Sequence, residues 1–143
     1  MDVFTSMKIS ASALKAQRLR MNTISSNLAN IETTRTPDGG PYRKREVVFE
    51  STSKGFSDQL DAQMSDAAQG VRVSHVQASN APPRMVYEPA HPDADENGMV
   101  AMPNVDLVKE TADMMSASRA YEANVTVVKA AKRMALKALD IGR

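Results

Sequence analysis

A chain of 143 residues has room for one ordinary domain, yet this one holds only three Phe, three Tyr and no Trp, and ten Met and many Ala make up much of its apolar share. Alanine buries little area and Met specifies geometry poorly, so the composition argues against a self-contained globule and for a chain that completes its core against neighbours. A net charge of +1 gives no general attraction to nucleic acid or anionic lipid, and the lack of Cys excludes disulfides, thiol catalysis and thiolate metal sites.

The charge is unevenly spread. Residues 1–35 carry five basic and two acidic side chains, residues 36–103 six and ten, and residues 104–143 seven and five. Two basic ends therefore flank an acidic middle, either as solvated faces or as polarity matched between stacked copies. No apolar run approaches the length of a membrane span, so direct membrane insertion is not expected. The opening "MDVFTSMKISASALKAQ" has no uninterrupted apolar run with a basic region ahead of it, so no cleavable export signal is read there.

The first predicted element is a helix from about Val3 to Thr33, with Asp2 or Thr5 as its cap. Met7, Leu14, Met21 and Leu28 recur every seven residues, with Ile24 and Ile31 three after the last two, which makes a narrow apolar seam of the coiled-coil kind. "RTPDGGPY" then stops the helix. "YRKREVVFE" reads as a strand, and "GVRVSHVQAS" as another with Val71, Val73 and His75 alternating. Between them, Phe56, Leu60 and Met64 fit either a short helical face or a loop. Arg84–Glu88 and Met99–Met102 read as short strands around a Pro-rich turn.

The last element is a helix from about Asn104 to Ile141, free of Pro, capped by Asn104 or Asp106 and with Glu110 early enough to suit the dipole. Leu107, Met114, Tyr121, Val128 and Ala135 repeat every seven residues, and Ala117, Asn124, Ala131 and Ala138 follow three after the last four. The fold class is thus mainly α with a small β-rich insertion. Residues 1–35 and 104–143 form a discontinuous domain in which the two long helices pair as a coiled coil, and residues 36–103 form the insertion. One such pair leaves much seam uncovered, so packing against other chains is expected.

The stretch "NTISSNLANIETT" is the odd one, because Asn, Ser and Thr are mediocre helix formers. Asn27 and Asn30 share a face, and Ser26 is placed to join them. They either fray the helix before Pro37 or set register, since a buried amide penalises every wrong pairing that leaves it unsatisfied.

The same residues carry a resemblance. "ISSNLANIETTRTPDGGPYRK" resembles the N-terminal signature of bacterial flagellar rod and hook proteins, with Ser25, Asn27, Leu28, Ala29 and Asn30 matching its core. "MSASRAYEANVTVVKAAKRMALKALDIGR" resembles that family's final helix through Ser118, Arg119, Tyr121, Glu122 and Asn124, and "PPRMVYEPAHPDADENGMVAMPNVDLVKE" is similar to a segment of its proximal-rod branch. The resemblance implies assembly and not chemistry: a structural subunit of a hollow rod that crosses the periplasm and transmits torque from motor to hook. It implies export through the flagellar type III apparatus, and as partners it implies copies of the chain, other rod proteins and the adaptor that joins the rod to the export gate. On that reading Ser25, Asn27, Asn30, Tyr121 and Asn124 set register at interfaces, and Met7, Leu14, Met21, Leu28, Leu107, Met114 and Val128 fill the apolar seam.

Two rival readings remain at this point. One is a non-flagellar helical adaptor or oligomerisation protein, which predicts a discrete small oligomer. The other is a calcium-responsive module, because Asp93, Asp95, Asn97 and Gly98 imitate positions one, three, five and six of an EF-hand loop. Against it, position twelve is Asn104 and not Glu, and Pro89 and Pro92 forbid the entering helix; a capped polar turn fits better. His75 and His91 are far apart in sequence, "RKR" is too short for a nucleic-acid patch, and no nucleophile–base pair or phosphate loop is present. No catalysis, cofactor, metal or nucleic-acid partner is expected.

Overall fold

The computed structural model describes residues 3–52 and 69–141, in the order α1 (Val3–Ala29), β1 (Arg45–Ser51), β2 (Val71–Ala78), β3 (Arg84–Tyr87), β4 (Met99–Met102) and α2 (Leu107–Ile141). Two long helices at the ends enclose a small antiparallel β region, the expected mainly α fold with a β insertion. Asp2 and the ambiguous segment around Phe56, Leu60 and Met64 lie outside the described residues.

Helix α1 ends at Ala29, short of the expected Thr33. Asn30 Nδ2 donates to the Ser26 carbonyl at 2.8 Å, and Thr33 Oγ1 donates to Asn30 Oδ1 at 3.1 Å. The Ser26 carbonyl thus accepts both the backbone N–H and the side-chain amide of Asn30, and beyond it the backbone tightens into Ile31–Leu28 and Thr33–Asn30 bonds. The chain then reverses: Tyr42 N–H bonds to the Thr33 carbonyl and Thr36 N–H to the Gly40 carbonyl. Gly39 and Gly40, at φ +86° and +75°, supply the left-handed backbone this reversal requires. The reversal returns residues 42–45 alongside the last turn of α1.

Strands β1 and β2 pair from Arg45↔Ala78 to Ser51↔Val71, with a register shift between Val48 and Phe49 that leaves Ser74 as the extra residue of a bulge. The alternation expected over Val71, Val73 and His75 therefore holds only to Val73; both valines are half-buried, and His75 is exposed. The sheet lies on α1. Ser12 Oγ accepts the Val71 N–H at 3.1 Å, and a Cβ on Gly70 would stand 2.9 Å from that same oxygen, so any side chain there would displace Ser12 from this contact. Strands β3 and β4 pair from Arg84↔Met102 to Tyr87↔Met99 and bury Val100 and Met102. Asp106 caps α2, its Oδ1 accepting from Val108 N at 2.9 Å and Lys109 N at 3.2 Å, whereas Asn104 donates to the Pro82 carbonyl.

Contacts Arg20–Asp113 and Asn27–Glu110 run in opposite directions along the helices, so α1 and α2 pack antiparallel. The centre of this contact is not the line of large apolar residues. Ser10, Ala16, Thr23, Ile24 and Asn27 on α1, and Glu110, Ala117 and Ala131 on α2, are the buried positions. Met7, Leu14, Met21, Leu28, Met114, Tyr121 and Val128 are half-buried, and Leu107 is exposed. Two seven-residue repeats run along α2, offset by three. The small-residue repeat takes the centre because short side chains let helix axes come together, and longer ones are displaced to the flanks.

This arrangement predicts unequal tolerance along α2. Ala117→Leu, at a fully buried position, should cost about 1–3 kcal/mol through overpacking. Val108→Ala, at a residue 78% exposed, should stay within about 0.5 kcal/mol. Urea denaturation of the full chain compares them, and equal costs would contradict the assigned contact line.

Candidate functional site: a polar junction and an exposed helix face

Asn27 sits in the last complete turn of α1, 1% exposed, where the returning chain meets α2. Its Oδ1 accepts from Arg45 N–H at 2.9 Å and from Tyr42 O–H at 3.0 Å. Its Nδ2 donates to the Arg45 carbonyl at 2.9 Å and to Glu110 Oε2 at 3.1 Å. The amide therefore has its full complement of partners inside the chain. Ser26 Oγ lies 3.5 Å from Tyr42 O–H, at the limit of hydrogen bonding.

Glu110, also 1% exposed, is the most heavily desolvated charge among the described residues. Lys44 Nζ stands 2.8 Å from its Oε1 in a close ion pair. Glu46 adds a weaker contact to Lys44 at 3.6 Å. Burial on its own would lower the Lys44 pKa, but Glu110 and then Glu46 outweigh it and hold the ammonium above its ordinary value of 10.5. A groove of about 370 Å³ opens beside this junction, with Ile24, Val47 and Phe49 on one side and Lys109 and Asp113 across it.

The remaining register candidates are placed differently. Asn30, half-buried just past α1, bonds to the Ser26 carbonyl and to Thr33. Asn124, half-buried, donates to the Ala120 carbonyl of its own helix at 2.8 Å. Ser25 is exposed and Tyr121 half-buried. The structure does not bring these five residues together, and Asn27 links α1, Arg45 and α2 within the chain. Sequence reasoning missed Lys44 and Glu110. The available signal was that Glu110 falls on the same seven-residue line as Ala117, Asn124 and Ala131, where a charge must find a cation.

The EF-hand likeness resolves into local structure. Asp93 accepts from Thr34 Oγ1 at 2.8 Å and pairs with Arg35 at 2.6 Å, while Asp95 Oδ1 accepts from the Asn97 and Met99 N–H groups. With Gly98 at φ +74°, this is a capped turn that delivers the chain into β4. No group of three or more His, Asp or Glu stands together among the described residues.

The second feature is what α2 leaves uncovered. Leu107, Val108, Met115, Val127, Met134, Leu136, Leu139 and Ile141 are all exposed, and Phe4 is exposed near the start of α1. No described helix is long and apolar enough to cross a membrane.

Comparison with known proteins gives these features a family. Residues 7–35 match the model described as flagella basal body rod protein, and residues 96–141 the model described as flagellar basal body rod FlgEFG protein C-terminal. The flagellar basal-body rod protein FlgC of Bacillus subtilis is 46% identical, with 100% of each chain covered. That of Borreliella burgdorferi is 45% identical over 99% of this chain and 98% of its own, and that of Salmonella typhimurium 48% over 94% of each. The chain belongs to the FlgC family of flagellar basal-body rod proteins. Asn27 and Glu110 fall one in each of the two matched segments, and Lys44 lies between them.

Two consequences of the junction are measurable. Asn27→Leu strands the Arg45 peptide groups and Glu110 together, and should cost about 3 kcal/mol in denaturant unfolding. Lys44 binds its proton more tightly in the folded state, so its stabilisation is whole below pH 10.5 and is lost as pH rises through the raised folded value. Wild-type stability should therefore fall more steeply above pH 10.5 than that of Lys44→Met, as measured by denaturant titration across that range.

Proposed function

We propose that this chain is a structural subunit of the proximal flagellar rod, assembling with copies of itself and with other rod proteins into a hollow tube that carries torque from motor to hook. The observation that carries this reading is the apolar surface of α2. Eight large apolar side chains stand exposed along one helix whose buried positions are Glu110 and two alanines. Such a surface is unusual in a monomer and marks packing against other chains. The half-buried flank of Met7, Leu14, Met21 and Leu28 offers a second line for neighbours.

In this assembly Ser25, Asn30, Tyr121 and Asn124 are the polar residues assigned to register between chains, with Asn27 acting through the shape it gives its own subunit. Torque transmission needs many helix contacts that resist shear, and mixed apolar and polar lines supply both adhesion and register. The subunit is further assigned to the rod crossing the periplasm, to delivery by the flagellar type III export apparatus without a cleavable signal, and to contact with the adaptor at the rod base.

The test uses α2. Met115→Glu and Leu139→Glu, at exposed positions, should leave the stability of the purified chain within about 0.5 kcal/mol yet abolish swimming and yield basal bodies without a complete rod. Normal motility in both variants, or purified basal bodies lacking this chain, would reject the rod assignment. Site-specific crosslinking from Ser25 and Asn124 in intact basal bodies tests the register assignments separately.

A further inference from the structure

We propose that Asn27, Lys44 and Glu110 form a folding latch, so that the β1–β2 arm is fixed on α1 only when α2 docks, and α2 docks fully only when the arm is in place.

Helix α2 packs on α1, and α1 packs on both β1 and β2, but among the described residues the backbone of α2 does not closely approach any of the four strands. A groove separates α2 from β1. The side-chain tie across that gap is the cluster itself. Lys44, immediately before β1, pairs with Glu110 at 2.8 Å, and Asn27 holds Glu110 with one N–H and the Arg45 carbonyl with the other. Without this cluster, the arm and α2 would be two independent tenants of α1.

Each pairwise arrangement is incomplete in a way that disfavours it. With α2 docked and the arm displaced, the Glu110 carboxylate is buried without its cation. With the arm docked and α2 displaced, Asn27 loses one acceptor and Lys44 keeps only the weaker contact with Glu46. Removing one member of a buried ion pair is strongly unfavourable, whereas the unfolded chain solvates all three groups equally well. Intermediate states are thus raised relative to both the unfolded and the fully docked states, which is what makes a transition all-or-none. Asn27 and Glu110 are 83 positions apart, so the latch closes only when both ends of the chain are present.

The latch predicts that a disturbance on one side is felt on the other. Gly70→Val loosens the arm by displacing Ser12 Oγ, in the first half of α1 and away from the Asn27–Glu110 contact near its end. In the full-length chain it should accelerate backbone hydrogen exchange in Glu110–Met114 at least tenfold, together with exchange in β1. In Lys44→Met/Glu110→Leu, where the charges are gone and apolar contact replaces them, Gly70→Val should accelerate exchange in β1 and leave Glu110–Met114 unchanged. Conversely, Glu110→Gln should accelerate exchange of the Arg45 N–H about as much as that of α2. Unaltered α2 exchange in Gly70→Val alone, or the same α2 acceleration in the double-variant background, would overturn the latch.

Discussion

The carboxylate of Glu110 is the constraint around which the structure is arranged. Buried to 1% exposure, it forfeits hydration worth several kcal/mol even after relaxation. Only a cation and a donor held in place can offset that. Lys44 and Asn27 meet the requirement, and both are where they are because the chain reverses after α1. The reversal depends in turn on Gly39 and Gly40 turning the backbone. A well-packed apolar trio of similar volume would be at least as stable. What the charged version adds is selectivity, because a shifted helix pair would leave a charge unpaired.

That selectivity matters because the helix contact itself discriminates weakly. Ser10, Ala16, Ala117 and Ala131 are short, nearly interchangeable side chains, and a line of them slides more easily than an interlocked row of Leu and Ile would. Placing them at the centre brings the helix axes together and pushes Met, Leu and Val outward. The result inverts the usual helix pair: the inside is held by small residues, Thr23, Ile24 and one polar junction, while most of the larger apolar surface points away. If both helices keep 1.5 Å per residue, the level of Asn27 with Glu110 places Val3 beside Met134. The exposed Leu136, Leu139 and Ile141 then extend past Val3. A surface so distributed serves association between chains.

Much of this was legible in the residues. Periodicity located both long helices, Pro and Gly located the reversal, and β-branched runs located the strands, with Met99–Met102 found to the residue. Asp106 is the cap that its position suggested. The seam was harder. Two seven-residue repeats coexist on α2, and hydrophobicity favours Leu107, Met114, Tyr121 and Val128, whereas burial follows Glu110, Ala117 and Ala131. Hydrophobicity reports the energy gained on covering a side chain, not which side chain lets another helix come near. The Ser74 bulge was equally hidden, because an extra residue in one strand is defined only by its partner. Lys44 was passed over as part of a short basic run, since the carboxylate that gives it meaning lies in another segment of the chain.

The choice of asparagine at position 27 now has a structural reason. The junction needs, at one point on a helix, an acceptor for the Arg45 N–H and a donor for the Arg45 carbonyl, side by side and in one plane. That is what a neighbouring strand would offer, and the Asn27 amide offers it from a helix. Aspartate has the acceptors without the donor and would set a second carboxylate against Glu110. Serine has a single oxygen and cannot make the paired contact. Glutamine has the right groups on a longer stem with one more rotatable bond to fix. Leucine, a better helix former, satisfies nothing. A residue that weakens α1 as a helix is retained because α1 must, at this one turn, also act as the edge on which a strand begins.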